Sequence, residues 1–280
     1  TSNFYLNISL FLNKDFKPNK ILLAENYYFQ KKYDLSKKIY NSVKKIGAAY
    51  SWFGSKSISA IIEKTENKDK SLLYLKKEFS SLPRLNFNHF YELGNHYKDN
   101  KNYKDSIKYY SLALENVNNE NDLKHKILYN RGISYERDDQ WENAEKDFLE
   151  SLRLIPEQPY VINYLAYSWV DKKINIEKAL EMLEEAVNLK ENDGYIIDSL
   201  GWAHYRNNNY LEAEKFLQKA VQLLPLDPVI NDHYADVLWM LNRNIQARYF
   251  WKHAASLDDI EEDIKKKINK KLIFGINNKS

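Results

Sequence analysis

The chain contains no cysteine, and only seven glycines and six prolines in 280 residues. Without cysteine there is no disulfide framework and no thiolate metal site, although such a chain suits cytoplasm and periplasm alike. Scarce glycine and proline remove the material for the many tight turns of a β protein and leave helices joined by short turns. No apolar run approaches the roughly 18 residues that a membrane-crossing helix needs, and no basic-then-apolar signal segment opens the chain. Charge of one sign is also missing, since 42 Lys and Arg face 39 Asp and Glu. The strongly basic stripe of a nucleic-acid binder is therefore absent, and nucleic acid is not an expected partner.

What is present is a 44% hydrophobic fraction, spread along a chain too long for one ordinary core and arranged at a 34-residue period. The clearest unit runs from Gly194 to Asp227. It places Leu200 and Gly201 seventh and eighth, Tyr210 seventeenth, Ala213 twentieth, Ala220 twenty-seventh and Pro225 thirty-second. Small residues at the eighth and twentieth places let two antiparallel helices approach closely, and the proline stops the second helix because it lacks an N–H and clashes with the preceding turn. The same register fits His125 to Gln158, with Gly132, Tyr135, Trp141, Ala144, Phe148 and Pro156. It also fits Phe87 onward, through Leu93, Gly94, Tyr97, Tyr103, Tyr110 and Ala113, followed by a longer polar connection around Asn116 to Asp122. Pro159 to Asp193 fits with one additional residue near Lys173 to Ile176, and Pro228 to about Glu261 lacks the closing proline.

This period and these places are those of the tetratricopeptide repeat. The expected fold class is all-α: a right-handed α-solenoid of tetratricopeptide helix pairs with a C-terminal capping helix. Residues 1–16 read as the remnant second helix of a preceding repeat, 17–85 as two degenerate units, 87–261 as five units, 262–274 as the capping helix and 275–280 as a disordered tail. The start at Thr1 and that unpaired first helix lead us to expect a longer array upstream and an exposed N-terminal helix face. Leading into and along the cap, Ile260, Ile264, Ile268 and Leu272 recur at spacing four.

The C-terminal wording is more specific than a generic repeat. The stretches YVINYLAYSWVD (Tyr160 to Asp171), DGYIIDSLGWAHY (Asp193 to Tyr205), DPVINDHYADVLW (Asp227 to Trp239) and QARYFWKHAASLD (Gln246 to Asp258) resemble a bacterial family of envelope-associated tetratricopeptide proteins. Some of that family's members are outer-membrane lipoproteins acting as adaptors of C-terminal-processing proteases. The resemblance implies a non-enzymatic scaffold in the periplasm or at the outer membrane, although no lipoprotein cysteine is present in this chain and a cytoplasmic location is not excluded by the residues themselves. Its implied partners are other proteins or peptide segments, a protease or an envelope assembly factor among them. A homo-oligomer is compatible with the sequence.

No catalytic arrangement is legible. Three of the seven glycines fall at eighth places, which leaves no phosphate-cradling loop, and there is neither a nucleophile elbow nor a paired-histidine zinc motif. Neither an enzyme nor a cofactor is expected. The informative surface is the concave one, lined by the first helix of each unit. Its places yield Tyr129, Asn163, Tyr167, Asp198, Trp202, Tyr205, Arg206, Asp232, Asp236 and Trp239 as candidate binding residues, an aromatic groove with acidic points. Asp198 and Asp232 would repel a ligand carboxylate, which disfavours the clamp that grips a chain's C-terminal carboxylate. The alternative function is a rigid spacer or dimerisation domain of a larger enzyme or secretion machine.

Overall fold

The computed structural model describes residues 2–14, 16–118, 123–258 and 260–276. Within these, every regular element is helical. The chain folds as two compact units, Thr1–Asp147 and Phe148–Ser280.

The first unit holds α1 (Ser2–Leu12) and then helix pairs: α2 (Lys17–Phe29) with α3 (Tyr33–Val43), α4 (Ala48–Thr65) with α5 (Lys68–Ser80), and α6 (Phe87–Asp99) with α7 (Tyr103–Asn116). It ends on α8 (Lys124–Arg137) and the start of α9 (Trp141–Leu154). The second unit holds α10 (Pro159–Asp171) with α11 (Ile176–Leu189), α12 (Gly194–Arg206) with α13 (Tyr210–Leu223), α14 (Pro228–Met240) with α15 (Asn244–Ser256), and finally α16 (Glu262–Phe274). No helix among the described residues is long and apolar enough to cross a membrane. The helix pairs form the tetratricopeptide solenoid fold.

The turn inside nearly every pair is closed the same way. Lys31, Lys101, Asp139, Lys173, Asn208 and Asn242 each adopt a left-handed backbone with φ between 58° and 62°. The following N–H then reaches back to a carbonyl of the last helical turn: Asn102 to Tyr97 (2.9 Å), Gln140 to Tyr135 (2.8 Å), Asn209 to His204 (2.9 Å) and Arg243 to Leu238 (2.9 Å). This C-terminal cap satisfies carbonyls that the helix leaves open, and it reverses the chain in three residues. The turn between α10 and α11 holds an additional left-handed residue, Asn175. The pair α4–α5 departs from the pattern. Its first helix begins at Ala48, four residues before Trp52, after a 3₁₀ turn (Lys44–Ile46) and an extended Gly47, and it runs for 18 residues.

The small eighth places act as the pattern requires. A methyl group on Gly94 would meet the Tyr110 ring at 2.8 Å, and one on Gly201 would meet Leu217 Cγ at 2.7 Å. Helix starts are fixed by side chains. The Asp193 carboxylate accepts from the N–H groups of Tyr195 and Ile196, Asp227 does the same for Val229 and Ile230, and Asn86 forms a capping box with His89.

Packing at the two ends differs. On α1 the side chains of Phe4, Tyr5, Phe11 and Leu12 are largely exposed. At the other end, the tail expected to be disordered from Gly275 onward is corrected at its first two residues. Gly275 lies against the Trp239 ring, where any Cβ would collide, at φ +70°, and Ile276 packs on the core cluster of Trp251 and Ile268. The rest of that expectation, 277–280, lies outside the described residues, as do 119–122 of the polar connection.

Candidate protein-binding surface

The second unit brings nine of the ten candidate residues onto its three first helices, α10, α12 and α14, whereas Tyr129, half-buried on α8, belongs to the first unit. At the centre is a stack of rings. Trp202 lies face to face with Tyr205 at 4.7 Å and with His233 at 4.0 Å, and the Arg206 guanidinium sits 5.9 Å from the Trp202 ring centroid. Tyr205 continues to Tyr210 at 5.6 Å. Offset rings at such separations add to the stabilisation from burial alone. Arg206 is held by Asp171, through its carboxylate at 3.6 Å and its carbonyl at 3.3 Å.

The acidic points read as exposed groove charges are corrected by the structure. Asp198 and Asp236 are 6% and 4% exposed. His233 Nδ1 lies 3.0 and 3.1 Å from the two Asp198 carboxylate oxygens. Lys271 of α16 reaches the concave side of α14 and donates to both Asp232 and Asp236 at 2.7–2.9 Å. Asp236 also accepts from the Trp251 indole N–H at 2.9 Å. Carboxylates this deep hold charge only when paired, because desolvation otherwise outweighs what a solvent-facing charge gains. Burial and the neighbouring Asp232 push the Asp236 carboxyl up to about 6, against the pull of Lys271. Burial opposes the charge on His233, but Asp198 outweighs it, and the imidazole titrates above its ordinary value.

Trp239 is likewise covered. Its ring lies 5.4 Å from Trp251, under the Arg248 guanidinium at 5.0 Å and against Gly275. The concave face of the last repeat is thus occupied by the protein's own C-terminal helix, and Asp232, Asp236 and Trp239 serve that contact. The remaining candidates of this unit, Asn163, Tyr167, Trp202, Tyr205 and Arg206, lie half-buried in a strip over α10 and α12. Two polar atoms of these residues, Asn163 Oδ1 and Trp202 Nε1, are buried without a hydrogen-bond partner.

Sequence reasoning missed His233, Trp251, Gly275 and Lys271 as members of this cluster. One signal was available: Lys271 follows Ile264 by seven and Ile268 by three, which puts a lysine on the apolar face of an amphipathic helix. In the first unit the corresponding polar places are also internally engaged. Tyr110 donates to Asn95 (2.6 Å), Lys98 donates to Asn130 (2.6 Å), and Asn130 donates to Tyr91 (3.2 Å).

The fold is that of tetratricopeptide repeat proteins, and the comparisons with known proteins agree with it. The tetratricopeptide repeat family model matches residues 197–225, the α12–α13 pair that carries Trp202. A stretch of 99 residues is 30% identical to the TPR repeat-containing protein PA4667 of Pseudomonas aeruginosa, covering 35% of this chain and 17% of that protein. The chain therefore spans only about a sixth of the length of this curated relative. Among solved structures, a tetratricopeptide repeat protein from Parabacteroides merdae superposes with a TM-score of 0.70 at 12% identity, covering 91% of this chain and 97% of its own. The Cut9–Hcn1 hetero-tetramer of the APC/C gives 0.69 at 14% identity over 97% of this chain and 52% of that one. Yeast Tom70 gives 0.63 at 18% identity, covering 96% and 56%. At these identities the likeness is one of fold.

Proposed function

We propose that the chain is a non-enzymatic adaptor that takes an extended segment of a partner polypeptide along the concave strip of α10 and α12, and that it works in the bacterial envelope. The observation that carries the reading is the ring stack of Trp202 with Tyr205, topped by Arg206, on the half-buried face of α10 and α12. Rings such as Trp202 and Tyr205 supply large contact area while losing little side-chain entropy. Because Asp198, Asp232 and Asp236 are already paired from within, to His233 and Lys271, the partner segment is recognised by apolar and amide contacts and not by a basic charge.

The envelope assignment draws its support from the resemblance of the C-terminal wording, Tyr160 to Asp258, to the envelope-associated family. Two measurements address the reading. A photo-crosslinking amino acid placed at Tyr167 should capture a polypeptide in the native organism, while the same group at the exposed Leu211 of α13 should not. Equal capture from both positions, or none from Tyr167, removes the concave strip as the binding surface. Cell fractionation should find the protein with the envelope, and recovery wholly from the cytosol contradicts that part.

A further inference from the structure

A second surface lies at the edge of the last repeats, two helical turns from Trp202 along α12. In the turn from α13 to α14 the chain reads Leu223-Leu224-Pro225-Leu226-Asp227. Asp227 is the N-cap of α14, so Leu226 precedes the cap. An apolar residue there ordinarily packs on the fourth residue of the helix. Here that residue is Asn231, whose amide is spent on the carbonyl oxygens of Pro225 (3.0 Å) and Asp227 (2.7 Å). Leu226 is left 73% exposed. The residues preceding the N-caps of α10 and α12 are polar, Glu157 and Asn192. An apolar side chain at this place is not required by the repeat.

Leu226 stands on the wall of a cleft of about 660 Å³ lined by Tyr195, Leu223, Pro225, Val229 and Ile264, with Glu261 among its lining residues. Tyr195 is 58% exposed. The cleft has the size of a site for a small ligand or a side-chain anchor. Its walls are fixed: Pro225 is held through its carbonyl by Asn231 and by His253 Nε2 at 3.1 Å, and Ile264 packs on the core of the last repeat. The charged residues that line the cleft, Asp227 and Glu261, are both acidic.

From the unstapled leucine, the apolar cleft and its acidic flank, we infer a docking site for a partner segment that inserts one or two apolar side chains flanked by lysine or arginine. It goes beyond the concave strip: the two surfaces differ in charge and share none of the residues assigned to that strip. Apolar anchors supply the affinity here, and the acidic flank selects the charge of the segment and speeds encounter.

Three synthetic peptides with blocked ends test this on the full chain: a Leu-Phe pair with two lysines on each side, the same pair between glutamates, and two serines between the lysines. Methyl NMR of Leu226, Val229 and Ile264 reports occupancy. The first peptide should shift these methyls saturably and the other two should not. Leu226→Glu should weaken binding at least tenfold with an unchanged melting temperature, and Glu261→Lys should weaken it severalfold. Four results overturn the inference: no shift at millimolar first peptide, equal shifts from all three, binding undiminished by Leu226→Glu, or a concentration-dependent dimer that Leu226→Glu dissolves, which would make a second copy of the chain the occupant. Trp202→Ala should leave these shifts intact, so failure of the concave-strip reading and failure of this one are separable.

Discussion

Replacing Lys271 by methionine keeps the apolar stem and removes the ammonium between Asp232 and Asp236. The three side chains are 23%, 14% and 6% exposed, so the pair of carboxylates would face each other almost without water. Breaking a buried ion pair by deleting one partner costs about 3–5 kcal/mol when burial is complete. The residual exposure of Lys271 and Asp232 lowers this to roughly 2–3 kcal/mol for the last repeat. The loss should fall on α16 and α14 first, because Lys271 joins these two helices beside Ile268 and Leu272, which pack on the core of the last repeat. Urea unfolding followed by tryptophan fluorescence, with hydrogen exchange of residues 262–276, measures it at pH 8. Adding Asp232→Asn and Asp236→Asn to Lys271→Met should recover most of the loss, since the uncompensated charges are gone. An unchanged midpoint and unchanged exchange in Lys271→Met would refute the assignment of these carboxylates to an internal contact and return them to the ligand surface.

Three further perturbations follow from the same geometry. His233 titrates above its ordinary value, so its stabilisation is complete below about pH 6.5 and is lost as pH rises through the folded-state value. Asp236, raised to about 6, binds its proton more tightly folded than unfolded, so stability grows as pH falls through 6. Both signs agree: the opening free energies of α14 and α16, taken from hydrogen exchange corrected for the intrinsic pH dependence of the exchange rate, should rise between pH 8 and 5.5 by on the order of 1 kcal/mol, and Asp236→Asn should remove part of that dependence. A steeper dependence in Asp236→Asn would reverse the sign we assign. Gly94→Ala should destabilise by roughly 1–3 kcal/mol through overpacking on the Tyr110 ring, which is pinned by its bond to Asn95; thermal melts showing a gain would place Gly94 outside the close approach. Lys101→Gly should stabilise by about 1 kcal/mol by relieving a left-handed lysine at φ 58°, read by the same melts, with a loss as the contrary result.

The repeat period, the small close-approach residues and the start of α16 were legible because each is a local property of spacing. Gly201 against Leu217 and Asp193 at the start of α12 follow from their places alone. The site was legible in its rings but not in its charges. Asp198 pairs 35 positions away with His233, and Asp232 and Asp236 pair with Lys271 39 and 35 positions away. A place-by-place reading of first helices has no means of seeing what crosses from the next unit or from the cap. It assigned solvent to carboxylates that neighbours cover. The α4–α5 pair was read only as part of two degenerate units over 17–85, because its repeat wording is weak; Ala48 and Ala49 extend its first helix backward from Trp52 to the break at Gly47.

The central claim is that the strip around Trp202 binds a polypeptide, and the dissociation rate of a purified partner captured at Tyr167 tests it most directly. Trp202→Ala, confirmed folded by circular dichroism, should dissociate about 30-fold faster, the equivalent of a hot-spot residue worth about 2 kcal/mol. Association should change little, and moderate salt should have little effect because the nearby carboxylates are paired internally. Dissociation of Trp202→Ala at the wild-type rate would contradict the account and leave the ring stack as packing alone.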